Sequence, residues 1–232
     1  MVLSEAKKAR SCLVITIDGP AGAGKSTVAK ELARRLNIFY LDTGAMYRAL
    51  TLKALRKRVN WEDEEQLVKL ARQTSLDLQG DIRKGIKVLL DGEDVSQLIR
   101  STEVTNNTFY VARAPKVRSI MVEWQRKIGK KQDVVVEGRD IGTVVFPDAT
   151  KKFYLDADLE ERSRRRLKEL REQGKEVEEK SLKTEIRERD TKDMTRTAGP
   201  LKKAPDAILI DSTHLSVEEV VNKILGYIQI NG

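Results

Sequence analysis

The stretch L13-V-I-T-I-D-G-P-A-G-A-G-K-S-T27 decides how the rest of the chain is read. Its first five residues are mostly Val and Ile, which reads as a short strand buried on both faces, and the run breaks at Asp18, Gly19 and Pro20. Gly19, Gly24, Lys25 and Ser26 fit the spacing G-x-x-x-x-G-K-[S/T]. From Lys25 to Leu36 a helical pattern follows, with Val28, Leu32 and Leu36 four residues apart on one side. Strand, glycine turn and helix in this order aim backbone N–H groups and the positive end of a helix at one point, which makes a phosphate cradle. Gly22 and Gly24 permit backbone angles and a close approach that a side chain would prevent. Lys25 would then reach the β- and γ-phosphates of a nucleoside triphosphate, and the Ser26 hydroxyl would join a magnesium shell. A turn that merely connects strand to helix needs none of these side chains. The cradle by itself does not say what receives the phosphoryl group, because enzymes that switch, pump or unwind use the same device.

Composition narrows the field. The 232 residues suffice for one large domain or a domain with an insertion, so residues 1–232 are read as one folding unit. Forty-four Lys and Arg against 36 Asp and Glu leave a net charge of +8, which suits an anionic partner. Aromatic residues at only 5% argue against a platform for stacked bases, and no nucleic-acid partner is expected. Cys12 is the only cysteine and His214 the only histidine, which excludes internal disulfides, zinc clusters and histidine-based triads. Cys12 reads as a small buried hydrophobe and His214 as a loop residue. The basic K7-K-A-R10 before five apolar residues is too short for a secretory signal, and no run reaches the roughly 18 residues of a membrane span. A cytoplasmic monomer without a membrane partner is the expectation.

Short β-branched runs alternate with longer helical patterns, which predicts a parallel sheet covered by helices. The strands are expected at 13–17, 38–41, 134–137, 153–155 and 207–210. Ser216 to Ile228 reads as the clearest helix, with a Ser216–Glu219 capping box and an apolar stripe through Val220, Val221, Ile224, Leu225 and Ile228. Residues 76–95 instead alternate apolar and polar side chains around three glycines, which predicts a small antiparallel sheet. With helices at 63–73, 103–112 and 116–128, it forms an insert over 63–128. Residues 159–196 are dominated by charge, with helical runs on both sides of Gly174, and read as a helical hairpin.

In open parallel sheets, ligands collect beyond the carboxyl ends of the strands. After the second and third strands stand L41-D-T-G-A-M-Y-R48 and V136-E-G-R-D-I-G-T143. Arg48 and Arg139 could converge on one anion from these two loops, since guanidinium forks match phosphate. In the charged region, Arg189, Asp193 and Arg196 lie at spacings of four and three on one helical face. A solvated ion-pair ladder gives the same spacing, but arginines concentrated near a phosphate site also suit a flap that neutralises charge and excludes water.

With these residues in view, the chain resembles the bacterial cytidylate kinases of the nucleoside monophosphate kinase group. The shared blocks are I17-D-G-P-A-G-A-G-K-S-T27, L41-D-T-G-A-M-Y-R48, D91-G-E-D-V-S96, E137-G-R-D-I-G-T-V-V-F-P-D148, E188-R-D190 and A207-I-L-I-D-S212, in the same order. The resemblance implies a P-loop kinase three-layer α/β fold: a five-stranded parallel sheet with helices on both faces, a monophosphate-binding insert over 63–128 and a helical lid over 159–196. It further implies phosphoryl transfer from ATP, with Mg²⁺, to CMP or dCMP. Gly19, Pro20, Ala21, Gly22, Ala23, Gly24, Lys25, Ser26 and Thr27 would hold ATP, with Ser26 toward the magnesium, and Arg162 and Arg165 would contact ATP phosphates from the lid. Thr43, Arg48, Arg139 and Asp140 would line the acceptor site, Arg118 and Arg196 would recognise cytosine, and Arg189 and Asp193 would reach phosphate and ribose. Lys25, Arg139 and Arg189 would carry the catalysis. Phe109 departs from the pattern, because the family has a base-reading serine there. Either Thr108 substitutes, the local alignment slips, or Arg118 and Asp140 read the base without it. UMP, AMP or a small phosphorylated metabolite are the alternative acceptors, and a nucleotide-dependent nucleic-acid binder is the alternative of a different class.

Overall fold

The computed structural model describes residues 12–81, 85–172, 174 and 178–229. The basic stretch K7 to R10 and residues 82–84, 173, 175–177 and 230–232 lie outside the described residues. Five strands form one parallel sheet: β1 (Val14–Asp18), β2 (Phe39–Asp42), β6 (Val134–Gly138), β7 (Lys151–Asp156) and β8 (Ile208–Asp211), in the order β2-β6-β1-β7-β8. A three-stranded antiparallel sheet, β3 (Leu76–Asp81), β4 (Gly85–Leu90) and β5 (Glu93–Asp94), stands apart from it. The helices are α1 (Lys25–Leu36), α2 (Thr43–Arg56), α3 (Glu64–Arg72), α4 (Thr102–Arg113), α5 (Pro115–Gly129), α6 (Leu159–Glu172), α7 (Glu179–Thr195) and α8 (Val217–Gln229).

Strand β1 lies at the centre of the parallel sheet and is buried along its whole length. Its alternation splits the core. Val14 joins a cluster with Leu50 of α2, Leu67 of α3, Val111 of α4 and Met121 of α5, while Ile15 and Ile17 join Leu32 of α1 and Val220 and Ile224 of α8. Helices therefore cover both faces, which is why these strands read as continuous apolar runs. A third cluster seats the small sheet on α2 through Val88, Leu90, Ala45 and Ala49. The hairpin of α6 and α7 has its own cluster, Leu167, Leu170, Leu182 and Ile186, closed against Ala21 of the glycine turn. No described helix is long and apolar enough to cross a membrane.

Four of the five parallel strands end on aspartate, and each carboxylate accepts backbone N–H groups from a following segment. Asp18 takes those of Ile141 and Gly142 (both 2.8 Å), Asp42 that of Ala45 (2.7 Å), Asp156 that of Ala157 (2.9 Å) and Asp211 that of Thr213 (2.8 Å). The C-terminal edge of the sheet is thus a row of anchors for loops and helix starts. Two local expectations are corrected here. Residues 43–48 are not a loop: Asp42 caps α2 directly after β2, so Arg48 projects from a helix. The segment after Arg139 winds into a wide π turn, Ile141–Val145, held from β1 by Asp18.

Candidate active site

The donor side is the turn between β1 and α1. Gly19 adopts φ +152°, and a Cβ there would collide with the backbone carbonyl of Leu155 on β7. Gly24 caps α1 at φ +89° with no side-chain cap and no acidic residue in the first turn. Among the described residues, the N–H groups of Gly22, Ala23 and Gly24 find no acceptor, which leaves them free for phosphate. Lys25 is 6% exposed, and its Nζ donates to the Pro20 carbonyl at 2.6 Å. Burial, then the neighbouring charge of Arg139, push its pKa down to about 7.

A chain of alternating charges runs across three elements. Arg139 Nε donates to Asp193 Oδ2 on α7 at 2.8 Å. Arg196, just past α7, lies 3.8 Å from Asp193 and donates to Asp140 Oδ1 at 3.4 Å, while Arg118 of α5 pairs with the other Asp140 oxygen. Gly199, at φ +60°, covers this pair so closely that a Cβ would strike Arg118 and Asp140, and its carbonyl accepts Arg196 Nε at 2.6 Å. Arg118 also lies over the ring of Tyr47, 5.7 Å from its centroid. Burial pushes the Asp140 carboxyl up against the pull of Arg118 and Arg196. Arg48 reaches Asp42 at 3.0 Å, and Thr43 donates to the Glu137 carbonyl at 2.7 Å. Arg189 has no hydrogen bond or ion pair among the described residues; burial, then Arg139, lower its pKa to about 10. Lys25, Arg48, Arg139 and Arg189 thus gather close enough to act on one another's charge, with Asp42, Asp193 and Glu137 among them.

Arg162 and Arg165 lie against the glycine turn. Arg162 donates to the carbonyls of Ala157 and Ala21 (2.9 Å each) and pairs with Asp190. Arg165 donates to Ser212 Oγ at 3.1 Å and to the Ser212 carbonyl at 2.5 Å. Sequence reasoning aimed both at ATP, and both guanidinium groups sit on carbonyls of the turn, Arg162 on Ala21 and Arg165 on Ala23 at 3.4 Å, as well as on their other protein partners. That reasoning also missed Asp18, Glu137 and Asp190. Each is a carboxylate inside a quoted motif, and its signal was an acid that charge complementarity alone left unexplained. Glu137 accepts from the Tyr40 hydroxyl and also hydrogen-bonds the Ser26 side chain; burial, then the charge of Asp42, push its carboxyl up. The Phe109 question also sharpens. The Thr108 hydroxyl donates to the Val104 carbonyl within its own helix at 2.7 Å, and the Phe109 ring lies under Arg113 of α4 and Lys192 of α7, at 5.6 and 6.0 Å.

A family model for cytidylate kinase matches residues 15–230 of the chain. The chain belongs to the cytidylate kinase family. It is 51% identical over 215 residues to a cytidylate kinase of Desulforamulus reducens, covering 93% of this chain and 96% of that one. A cytidylate kinase of Caldanaerobacter subterraneus subsp. tengcongensis is 51% identical over 217 residues, covering 94% and 95%. In shape, the chain resembles the crystal structure of an uncharacterized protein from Eubacterium ventriosum at TM-score 0.53 and 15% identity, over 94% of this chain and 98% of that one. At that identity the likeness speaks to the fold alone. The fold is the P-loop kinase α/β architecture, and the enzyme is a nucleoside monophosphate kinase.

Proposed function

We propose that this kinase transfers the γ-phosphoryl group of ATP to CMP or dCMP, giving ADP and CDP or dCDP. The observation that carries the reading is the charge row Arg139–Asp193–Arg196–Asp140–Arg118, which ends in a buried triad of Arg196, Asp140 and Arg118. Cytosine carries an exocyclic amino donor beside ring acceptors. Asp140 would accept from that amino group while Arg118 and Arg196 donate to the ring acceptors. Uracil reverses both, setting a carbonyl against Asp140 and an N–H against arginine, so the triad disfavours UMP. No hydroxyl at position 109 is needed for this readout.

The nucleophile is a phosphate oxygen of the monophosphate, already ionised near neutral pH because the second phosphate pKa is about 6. No strong general base is required. Arg48, Arg139 and Arg189 hold the acceptor phosphate, Lys25 and the free N–H groups of the turn hold the donor, and catalysis rests on in-line positioning and charge. Magnesium fits the Ser26 side, where the Ser26 hydroxyl and the Glu137 carboxyl, hydrogen-bonded to each other, would offer hard oxygens beside phosphate. When bound, the ion would offset phosphate charge. The hairpin over 159–196 serves as the lid that keeps water from acting as acceptor. The enzyme works as a cytoplasmic monomer.

A coupled ADP-release assay across CMP, dCMP, UMP and AMP tests the reading. Specificity constants for CMP or dCMP at least about tenfold above those for UMP and AMP are expected from one buried hydrogen-bond mismatch. Equal use of AMP would sink it.

A further inference from the structure

The geometry points to Asp190, paired with Arg162, as a positioning residue that holds the donor turn and the acceptor-site arginines in a single frame. Ala21, within the glycine turn, has both backbone groups taken by the hairpin. Its N–H donates to Asp190 Oδ1 at 2.9 Å, and its carbonyl accepts Arg162 Nη1 at 2.9 Å. Arg162 and Asp190 pair with each other across α6 and α7, and Arg162 Nε is fixed on the Ala157 carbonyl at 2.9 Å. The ring of contacts is buried, with Arg162 8% and Asp190 6% exposed, and Leu167, Leu170, Leu182 and Ile186 pack against Ala21 beside it. At Gly22 a Cβ would come within 3.1 Å of the Arg162 Cβ and carbonyl, so the turn and α6 fit without room for a side chain.

The Ala21 N–H is committed to Asp190 and is not offered to phosphate, which separates it from its free neighbours at 22, 23 and 24. Arg189 precedes Asp190 on α7, and Asp193, the partner of Arg139, lies one turn further on. One helix thus grips the donor turn at Asp190 and the acceptor arginine at Asp193. A displacement of α7 that frees the turn also moves Arg189 and Arg139. The clasp makes hairpin position and donor–acceptor alignment the same variable, and it rests on the acceptor site proposed above.

The experiment compares wild type, Asp190→Asn, Arg162→Lys and the charge-free double variant Arg162→Met with Asp190→Leu, with Arg139→Ala as control. Read for each are kcat, KM for ATP and for CMP, and the ratio of ATP hydrolysis without CMP to CMP phosphorylation. Asp190→Asn keeps an acceptor for Ala21 but loses the pairing charge. It is expected to lower kcat about 10- to 100-fold and to raise the hydrolysis ratio, as loss of alignment and of water exclusion demands. The double variant leaves no unpaired buried charge, so it should still fold, with a melting temperature lowered by the unpaired Ala21 and Ala157 backbone groups, yet stay impaired. Arg162→Lys keeps the charge without the fork and tests the same point should a neutral variant fail to fold. Recovery of wild-type kcat and ratio in the folded double variant, or normal turnover in both single variants, overturns the clasp. Arg139→Ala separates the readings: if it loses CMP use while the clasp variants behave as wild type, the clasp alone falls. A normal Arg139→Ala overturns the acceptor site and the clasp with it.

Discussion

Lys25 is held where its charged form is disfavoured. Its ordinary pKa of 10.5 falls to about 7 through burial and the nearby Arg139 and Arg189. Between those values the unfolded chain binds a proton that the folded chain gives up, so the unliganded enzyme gains stability as pH rises from 7 toward 10.5. Lys25→Met, with no ammonium to desolvate, should lack that rise and be more stable at pH 7 by about 1 kcal/mol, the usual yield of relieving a strained site. Thermal melts of both proteins from pH 7 to 9 check this, and parallel curves would contradict it. The same variant, like Lys25→Ala, should lose transfer with the fold retained. Arg139→Ala should raise the KM for CMP about 10- to 100-fold, the cost of one charge-assisted hydrogen bond, and leave the KM for ATP nearly unchanged. An unchanged CMP saturation curve would remove Arg139 from the acceptor site.

At the level of elements, the start of α2 shows why part of the site was hidden in the sequence. Asp42 accepts the Ala45 N–H with one oxygen and Arg48 with the other. Thr43 and Gly44 straight after a strand read as a loop, and nothing local shows that the strand hands over to the helix without an intervening residue. Asp42→Asn should retain the cap and weaken only the hold on Arg48, whereas Asp42→Ala should cost about 1 kcal/mol more through loss of the cap. Melting both variants beside CMP saturation curves distinguishes the two effects. Equal melting temperatures would show that the cap does not carry the helix start. The π turn was equally hidden, because its two anchoring bonds come from Asp18, 123 and 124 positions away. By contrast, α8 was read almost to its ends, since its capping box and apolar stripe are both local: Ser216 and Glu219 bond reciprocally, and Val220, Val221 and Ile224 are buried.

For the molecule as a whole, the excess positive charge is mostly a surface feature. Lys25, Arg118, Arg162 and Arg196 are buried, but so are Asp18, Glu137, Asp140 and Asp190, so the buried charges largely cancel and most of the net +8 remains at the surface. The large exposed apolar residues, Leu98, Val144, Met194, Leu209, Val217 and Tyr227, belong to five separate elements, a scatter ordinary for a monomer. Sedimentation velocity at micromolar concentration should give one species with the mass of a single chain. A dominant dimer would refute the monomer.

The sequence alone determined what depends on near neighbours. A glycine turn between strand and helix, a lysine at the helix start and the alternation of strand and helix patterns all act within a few residues, and together they carried the parallel sheet, the phosphate cradle and the antiparallel segment. Tertiary structure decided which charges meet. Arg162 and Asp190 close on Ala21 across 141 and 169 positions, and the hydrophobic packing of the hairpin against that turn selects this pairing. Spacing along the chain showed that arginines gather near the site. Only the packed fold showed that Arg139 pairs with Asp193 one turn from Arg189 on α7 while Arg162 holds the Ala21 carbonyl of the turn.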